Sequence, residues 1–214
     1  MSRHKVTKIR HLTDLTYVLR MDRNKMQFQT GQFVMINHLN SLEQREYSVY
    51  SGEQDDYLEI LVREVIDGNV SPKLKKLKEG SFLELDGPFG FFKFDPMDFD
   101  SKKFLFVATG TGISPFHSFV RTYPDMEYKL IHGVRLGEEA YEHEDFDKKK
   151  VMLCTSGESK GHFNGRVTDY LVSQNIETDT NCFLCGNSEM IHEVFDILTA
   201  KKVPVSNIYS EVYF

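Results

Sequence analysis

The chain has 214 residues, 40% of them hydrophobic and 27% charged, a soluble globular composition with room for one large domain or two small ones. Its net charge of −6 argues against a general nucleic-acid or anionic-membrane binder, either of which would want a basic excess. No apolar run reaches the length of a membrane span, and Met1-Ser2-Arg3-His4-Lys5-Val6 lacks the apolar core of a signal peptide, so a cytoplasmic protein is expected.

Up to about residue 100, short β-rich runs alternate with turn residues. Strands are predicted at residues 6–9, 16–19, 32–36, 45–50, 57–62 and 82–85. A short helix is predicted over residues 71–77, with Ser71 as its cap and Pro72 at its first position. Six short strands and one helix suggest a small antiparallel barrel. Residues 95–101 read as a linker, and the chain divides into residues 1–97 and 98–214.

Beyond the linker the pattern becomes strand, turn, helix. Strands are predicted at residues 104–108, 128–132, 151–154, 182–185 and 207–212. Helices are predicted from Ile113, near residues 166–172 and 189–201, with a weaker signal over 137–146. Apolar strands alternating with helices imply an α/β domain, a parallel sheet covered on both faces.

Cys182 and Cys185 form a CxxC, but Asn181-Cys182-Phe183-Leu184-Cys185 reads as a buried strand. Residues three apart on a strand point to opposite faces and lie roughly 10 Å apart, beyond disulfide reach. No second CxxC or paired histidine completes a metal site, so neither a dithiol nor a zinc site is expected.

In an open parallel sheet, ligands bind beyond the carboxyl ends of the strands. Two glycine-bearing turns fall there, Thr109-Gly110-Thr111-Gly112 and Gly186-Asn187-Ser188. Glycine admits close backbone approach, and a helix start offers N–H groups and a positive dipole end, which together suit a pyrophosphate. Gly110-Thr111-Gly112-Ile113-Ser114-Pro115 is only part of a dinucleotide fingerprint, with proline where a third glycine would stand.

Several segments taken together carry a resemblance. They are Arg45-Glu46-Tyr47-Ser48, Gly68-Asn69-Val70-Ser71, Gly87-Pro88-Phe89-Gly90, Gly110-Thr111-Gly112-Ile113-Ser114-Pro115-Phe116, His132-Gly133-Val134-Arg135, Gly165-Arg166-Val167-Thr168-Asp169, Cys185-Gly186-Asn187 and Glu211-Val212-Tyr213-Phe214. In this order, over nearly the whole chain, they make it resemble the ferredoxin–NADP reductase family, the bacterial branch in particular. The resemblance implies an FAD-binding antiparallel β-barrel followed by an NAD(P)-binding Rossmann-like domain. It implies that Arg45 pairs with the FAD pyrophosphate, Tyr47 packs on the isoalloxazine and Ser48 lies near the reactive flavin nitrogen. Gly68, Asn69, Val70 and Ser71 would hold phosphate, Tyr213 would cover the flavin and Phe214 would stack on the adenine.

For the nucleotide, the same resemblance implies that Gly110, Thr111, Gly112, Pro115 and Gly186 cradle NADP, with Arg135 and Arg166 toward its 2′-phosphate. Cys185 would be a small contact at the nicotinamide rather than a nucleophile, and Glu211 and Ser48 would assist near the reacting edge. Family members using NADPH usually carry an arginine in a Ser/Thr-Arg-Glu segment, where this chain has Ser156-Gly157-Glu158. Losing one cation from a dianion site weakens a preference for NADP, so NAD is admitted as well.

The implied activity is hydride transfer between NAD(P)H and FAD, with single electrons passed to or from a separate ferredoxin or flavodoxin. No plant-type C-x4-C-x2-C run supplies a fused carrier. Such carriers are acidic, and Lys73, Lys75, Lys76 and Lys78, or Lys148, Lys149 and Lys150, offer docking charge. A monomer is expected. Two other readings are a reductase component serving an oxygenase or free flavin, and a non-enzymatic FAD-binding relay subunit.

Overall fold

The computed structural model describes residues 1–38, 43–94 and 103–213. The expected linker at 95–101, the division at 97/98 and Phe214 lie outside the described residues. The chain forms two compact units, Met1–Lys93 with Ser114–Tyr123, and the described parts of Phe94–Ile113 and Pro124–Phe214.

The first unit carries strands β1 (Ser2–His11), β2 (Thr16–Asp22), β3 (Phe33–His38), β4 (Arg45–Ser48), β5 (Tyr57–Arg63) and β6 (Phe82–Phe89). They form one sheet in the order β4-β3-β6-β1-β2-β5, each neighbour antiparallel. Just past β4, Val49 bridges Ile60 of β5, which closes the sheet into a barrel. Alternate residues fill it: Tyr17, Leu19 and Met21, Val34 and Ile36, Leu58, Ile60 and Val62, Leu83 and Leu85. The spacing of two between these residues is the inside–outside period of the barrel wall.

Helix α1 runs from Ser71 to Lys75, two residues shorter than expected, and Val70 and Leu74 anchor it in the barrel core. Its cap also differs. Val70 is the N-cap, and its carbonyl accepts from Lys73 and Leu74, while Ser71 is already helical. The Ser71 hydroxyl instead accepts the Val65 N–H at 2.9 Å, closing the loop that enters the helix. A second helix, α2 (Ser114–Thr122), groups with this unit. His117 stacks on Tyr50 at 3.7 Å, Ser118 donates to the Ser51 carbonyl, and Arg121 forks onto Asp55.

The second unit carries β7 (Phe104–Thr109), β8 (Tyr128–Val134), β9 (Val151–Thr155), β10 (Phe163–Asn164), β11 (Asn181–Gly186) and β12 (Ile208–Val212). All neighbours are parallel, in the order β10-β9-β8-β7-β11-β12. Helices α3 (Val167–Val172) and α4 (Ser188–Ala200) join a core with Leu105, Val107, Ile131, Cys182 and Leu184. The alternate strand positions Phe104, Phe106, Phe183 and Tyr209 form an aromatic layer with Phe94 and Tyr128. Both sets are apolar, which is why these strands read as continuous runs.

The helix expected over 137–146 is two 3₁₀ turns, Gly137–Glu139 and His143–Asp145. Glu139 turns its carboxylate back onto the Arg135 and Leu136 N–H groups, and Glu142 takes a left-handed φ of 47°, so no continuous helix passes through. The helix expected from Ile113 is preceded by a 3₁₀ turn, Gly110–Ile113. The two-residue strand β10 carries too little pattern to be read from sequence.

Candidate functional site

In the first unit, the segments 45–48 and 68–71 are brought together. Asn69 Nδ2 donates to Glu43 Oε1 at 3.0 Å, tying the turn to the entrance of β4. The Tyr17 hydroxyl donates to the Ser71 carbonyl at 2.9 Å, and Tyr17 belongs to the core cluster against which Tyr47 packs. Arg45 is exposed and donates to the Gln44 carbonyl at 2.7 Å, Tyr47 is half-buried against the barrel core, and Ser48 is buried. Burial pushes the Tyr47 phenol up to about 12 against the opposing pull of Arg45, so it stays protonated. The segment with an exposed guanidinium and a half-buried aromatic ring is thus tied to the turn at 68–71, and groups of this chemistry fit a flavin and its phosphates.

In the second unit, the strand order reverses between β7 and β11, so their carboxyl ends flank a crevice. The two glycine turns meet there. A Cβ on Gly112 would stand 2.3 Å from the Cys185 carbonyl oxygen and 2.8 Å from Gly186 Cα. Gly186 has φ +134°, and a Cβ on it would stand 2.3 Å from Thr109 Oγ1. Thr109 Oγ1 in turn accepts the Asn187 N–H at 3.1 Å, and Asn187 caps α4 through Met190 N–H. Gly110 takes a left-handed φ of +53°, and the direction a side chain would occupy is open. Pro115 is buried as the second residue of α2.

Cys185 pairs in register with Glu211 on β12. Burial drives its thiol well above the ordinary range, Glu211 adds to this, and a hydrogen bond with the Tyr213 side chain opposes it. A protonated thiol is a small packing contact, not a nucleophile. Tyr213 also donates its N–H to the Gly186 carbonyl at 2.8 Å. Among the described residues, Gly186, Cys185, Glu211 and Tyr213 therefore form one group at the ends of β11 and β12.

Arg135 and Arg166 are exposed beyond β8 and β10, on the same carboxyl edge. Gly157 packs directly on Arg135: its N–H donates to the Arg135 carbonyl at 2.8 Å, and a Cβ there would stand 2.8 Å from Arg135 Cγ. Next to it, Glu158 accepts from Gly137 N–H at 2.5 Å and pairs with Lys160 at 3.1 Å.

One pairing was not anticipated from sequence. His132 on β8 is fully buried, with Nε2 2.8 Å from the Gly110 carbonyl and Nδ1 2.8 Å from His143 Nε2. Burial and then His143 lower His132 to about 3; burial and then His162 lower His143 to about 4. The available signal was a histidine within a mostly apolar strand, in register with Ala108, but its partner at 143 follows no pattern.

Residues 4–94 match the oxidoreductase FAD-binding domain, and residues 106–196 the oxidoreductase NAD-binding domain. The chain is 30% identical to the flavodoxin/ferredoxin–NADP reductase of Rhodobacter capsulatus, over 90% of this chain and 83% of that protein. It is 30% identical to the ferredoxin–NADP reductase of Pseudomonas aeruginosa, over 94% and 90% respectively. In fold it is similar to a ferredoxin NADP+ reductase from Neisseria gonorrhoeae with bound FAD and NADP, with a TM-score of 0.87 and 23% identity over 100% of this chain and 98% of that one.

Proposed function

The chain belongs to the ferredoxin–NADP reductase family and is an oxidoreductase with FAD-binding and NAD(P)-binding domains, and from that premise we propose that it moves hydride between NAD(P)H and FAD and exchanges single electrons with a separate ferredoxin or flavodoxin. The observation that carries this reading is the seating of Gly112 against Cys185 and Gly186 at the point where the strand order reverses. Bound FAD supplies the conversion between a two-electron hydride donor and a one-electron carrier.

The residues act as follows in this reading. Arg45 holds the FAD pyrophosphate, Tyr47 presents its ring to the isoalloxazine, and Ser48 orients near the reactive nitrogen. Gly68, Asn69, Val70 and Ser71 bind phosphate; the Ser71 hydroxyl accepts from Val65 and keeps its own proton to donate. Gly110, Thr111, Gly112, Pro115 and Gly186 cradle the coenzyme's diphosphate, and Arg135 and Arg166 face its adenosine end. Cys185 and Glu211 contact the nicotinamide. Tyr213 is a gate, and opening it breaks its bonds to Gly186 and Cys185. With Gly157 seated on Arg135 there is no third guanidinium at that position, so NADPH is preferred to NADH only modestly.

For the carrier, α1 and its exit present Lys73, Lys76 and Lys78 exposed, while Lys75 is held by Glu64 and the Asp14 carbonyl. Lys148 and Lys149 are exposed, while Lys150 is held by Glu127 and the Met126 carbonyl. The first cluster offers more free charge to an acidic partner.

The test is an anaerobic titration of the FAD-loaded protein with NADPH and with NADH, read in the visible flavin absorption. Reoxidation by ferredoxin, flavodoxin, free flavin and an oxygenase component follows. Bleaching by both coenzymes, with salt-sensitive reoxidation by ferredoxin or flavodoxin, supports the reading. A protein without affinity for FAD, or a flavin that neither coenzyme bleaches, would falsify it. Reoxidation only by free flavin or the oxygenase component would overturn the carrier and leave the hydride chemistry standing.

A further inference from the structure

The carbonyl of Gly110 can only accept a hydrogen bond, so the Nε2 facing it at 2.8 Å carries the proton of His132. Nδ1 of His132 is then the lone-pair nitrogen, and His143 Nε2, 2.8 Å away, must donate to it. The pair therefore has one direction: His143 gives to His132, and His132 gives to Gly110. Nothing else prescribes the tautomer of a neutral imidazole buried on an apolar strand.

The direction matters because a peptide is planar and trans. Holding the Gly110 carbonyl on His132 therefore fixes the plane of the Gly110–Thr111 peptide. Gly110 itself has a left-handed φ and open space where a side chain would be, so the turn exposes backbone on that side. Rotation of the 110–111 peptide would break this bond and leave the buried His132 Nε2–H without its acceptor.

We propose that His132 is a positioning residue for the coenzyme's diphosphate, fixing the Gly110–Thr111 peptide of the turn on which the diphosphate lies, and that His143 holds His132 in the tautomer that allows this. The inference rests on the reading that the NAD(P) diphosphate lies over the Gly110–Pro115 turn. Neither histidine touches the reacting atoms, so the effect falls on coenzyme binding and not on the hydride step.

The experiment uses FAD-loaded protein and compares His132→Phe, His132→Gln, His143→Phe and His143→Gln. Dissociation constants are measured for NADPH, for ADP-ribose, which carries the diphosphate, and for AMP, which lacks it. Loss of one directing hydrogen bond should weaken NADPH and ADP-ribose binding about tenfold in His132→Phe, with AMP unchanged and kcat at saturation within about twofold. His132→Gln keeps a donor toward Gly110 and should recover most of the affinity. His143→Phe should cost about threefold, and His143→Gln, which can still donate to Nδ1, should restore it.

Unchanged ADP-ribose affinity in His132→Phe overturns the proposal. So does an equal loss for AMP, or a glutamine variant no better than phenylalanine. If His132→Phe fails to retain FAD, the two His143 variants decide the matter by the same comparison. If the unaltered protein binds ADP-ribose no better than AMP, the diphosphate does not lie on this turn, and the underlying reading falls together with the inference.

Discussion

Gly112→Ala tests the crevice most directly. The new methyl would sit 2.3 Å from the Cys185 carbonyl oxygen, 2.6 Å from the Cys185 carbonyl carbon and 2.8 Å from Gly186 Cα, all backbone atoms that cannot rotate away. Relief to ordinary van der Waals distance requires the turn after β7 and the end of β11 to separate by about 1 Å, an overpacking cost of about 1–3 kcal/mol. For a chain of this length that corresponds to a fall of roughly 2–12 °C in Tm. Placement suffers more than stability, since a shift of about 1 Å in a positioned ligand can cost about 100-fold in rate. The three nearest neighbours of the added carbon belong to Cys185 and Gly186, so FAD content, which the proposed reading assigns to residues 45–48 and 68–71, should stay near that of the unaltered protein. The assay is the anaerobic NADPH titration, with stopped-flow flavin reduction and thermal unfolding on the same preparation. A variant with normal Tm, a coenzyme Kd within twofold and a normal reduction rate would show that the two turns do not form the binding surface.

Three further outcomes are expected. Deleting Tyr213 and Phe214 removes the aromatic that holds Gly186 and Cys185, so NADP+ should bind about tenfold tighter and leave more slowly; equilibrium titration showing unchanged affinity counts against the gate. Arg135→Gln should weaken NADPH about tenfold and NADH within twofold, whereas Gly157→Arg should not raise NADPH selectivity, because its Cβ would stand 2.7 Å from the Arg135 carbonyl oxygen. Selectivity restored by Gly157→Arg alone would contradict this packing. Finally, burial holds His132 near 3 and His143 near 4, below the ordinary histidine value of 6.5. Depressed values contribute stability that is full above pH 6.5 and is lost as pH falls toward 4, because the unfolded chain takes up protons the folded one refuses. Each histidine should cost on the order of 1 kcal/mol per pH unit within that window. Unfolding midpoints of His132→Gln/His143→Gln should therefore fall less steeply between pH 6.5 and 5 than those of the unaltered protein; parallel slopes reject the assignment.

Much of the architecture was readable because it depends on local chemistry. The spacing of Tyr17, Leu19 and Met21 follows from a barrel wall whose alternate residues fill the interior, and unbroken apolar runs such as Phe104-Leu105-Phe106-Val107-Ala108 follow from strands with apolar layers on both faces. The errors have equally local causes. Ser71 has the composition of a cap but spends its hydroxyl on Val65, and the segment 137–146 has helical spacing that Glu139 and Glu142 interrupt with a carboxylate clasp and a left-handed residue.

Read as a string, the residues determined two domains of different hydrophobic period, the glycine turns at strand ends and the ordered motifs of a flavin–nicotinamide oxidoreductase, since each is a property of neighbours along the chain. Only the folded chain decided that Gly112 rests on Cys185 and Gly186, that Asn69 ties to Glu43, that α2 groups with the first unit, and that His143 orients His132 beneath Gly110. Those contacts join residues from 11 to more than 70 positions apart. Sheet order and side-chain packing set them, and no spacing along the sequence encodes either.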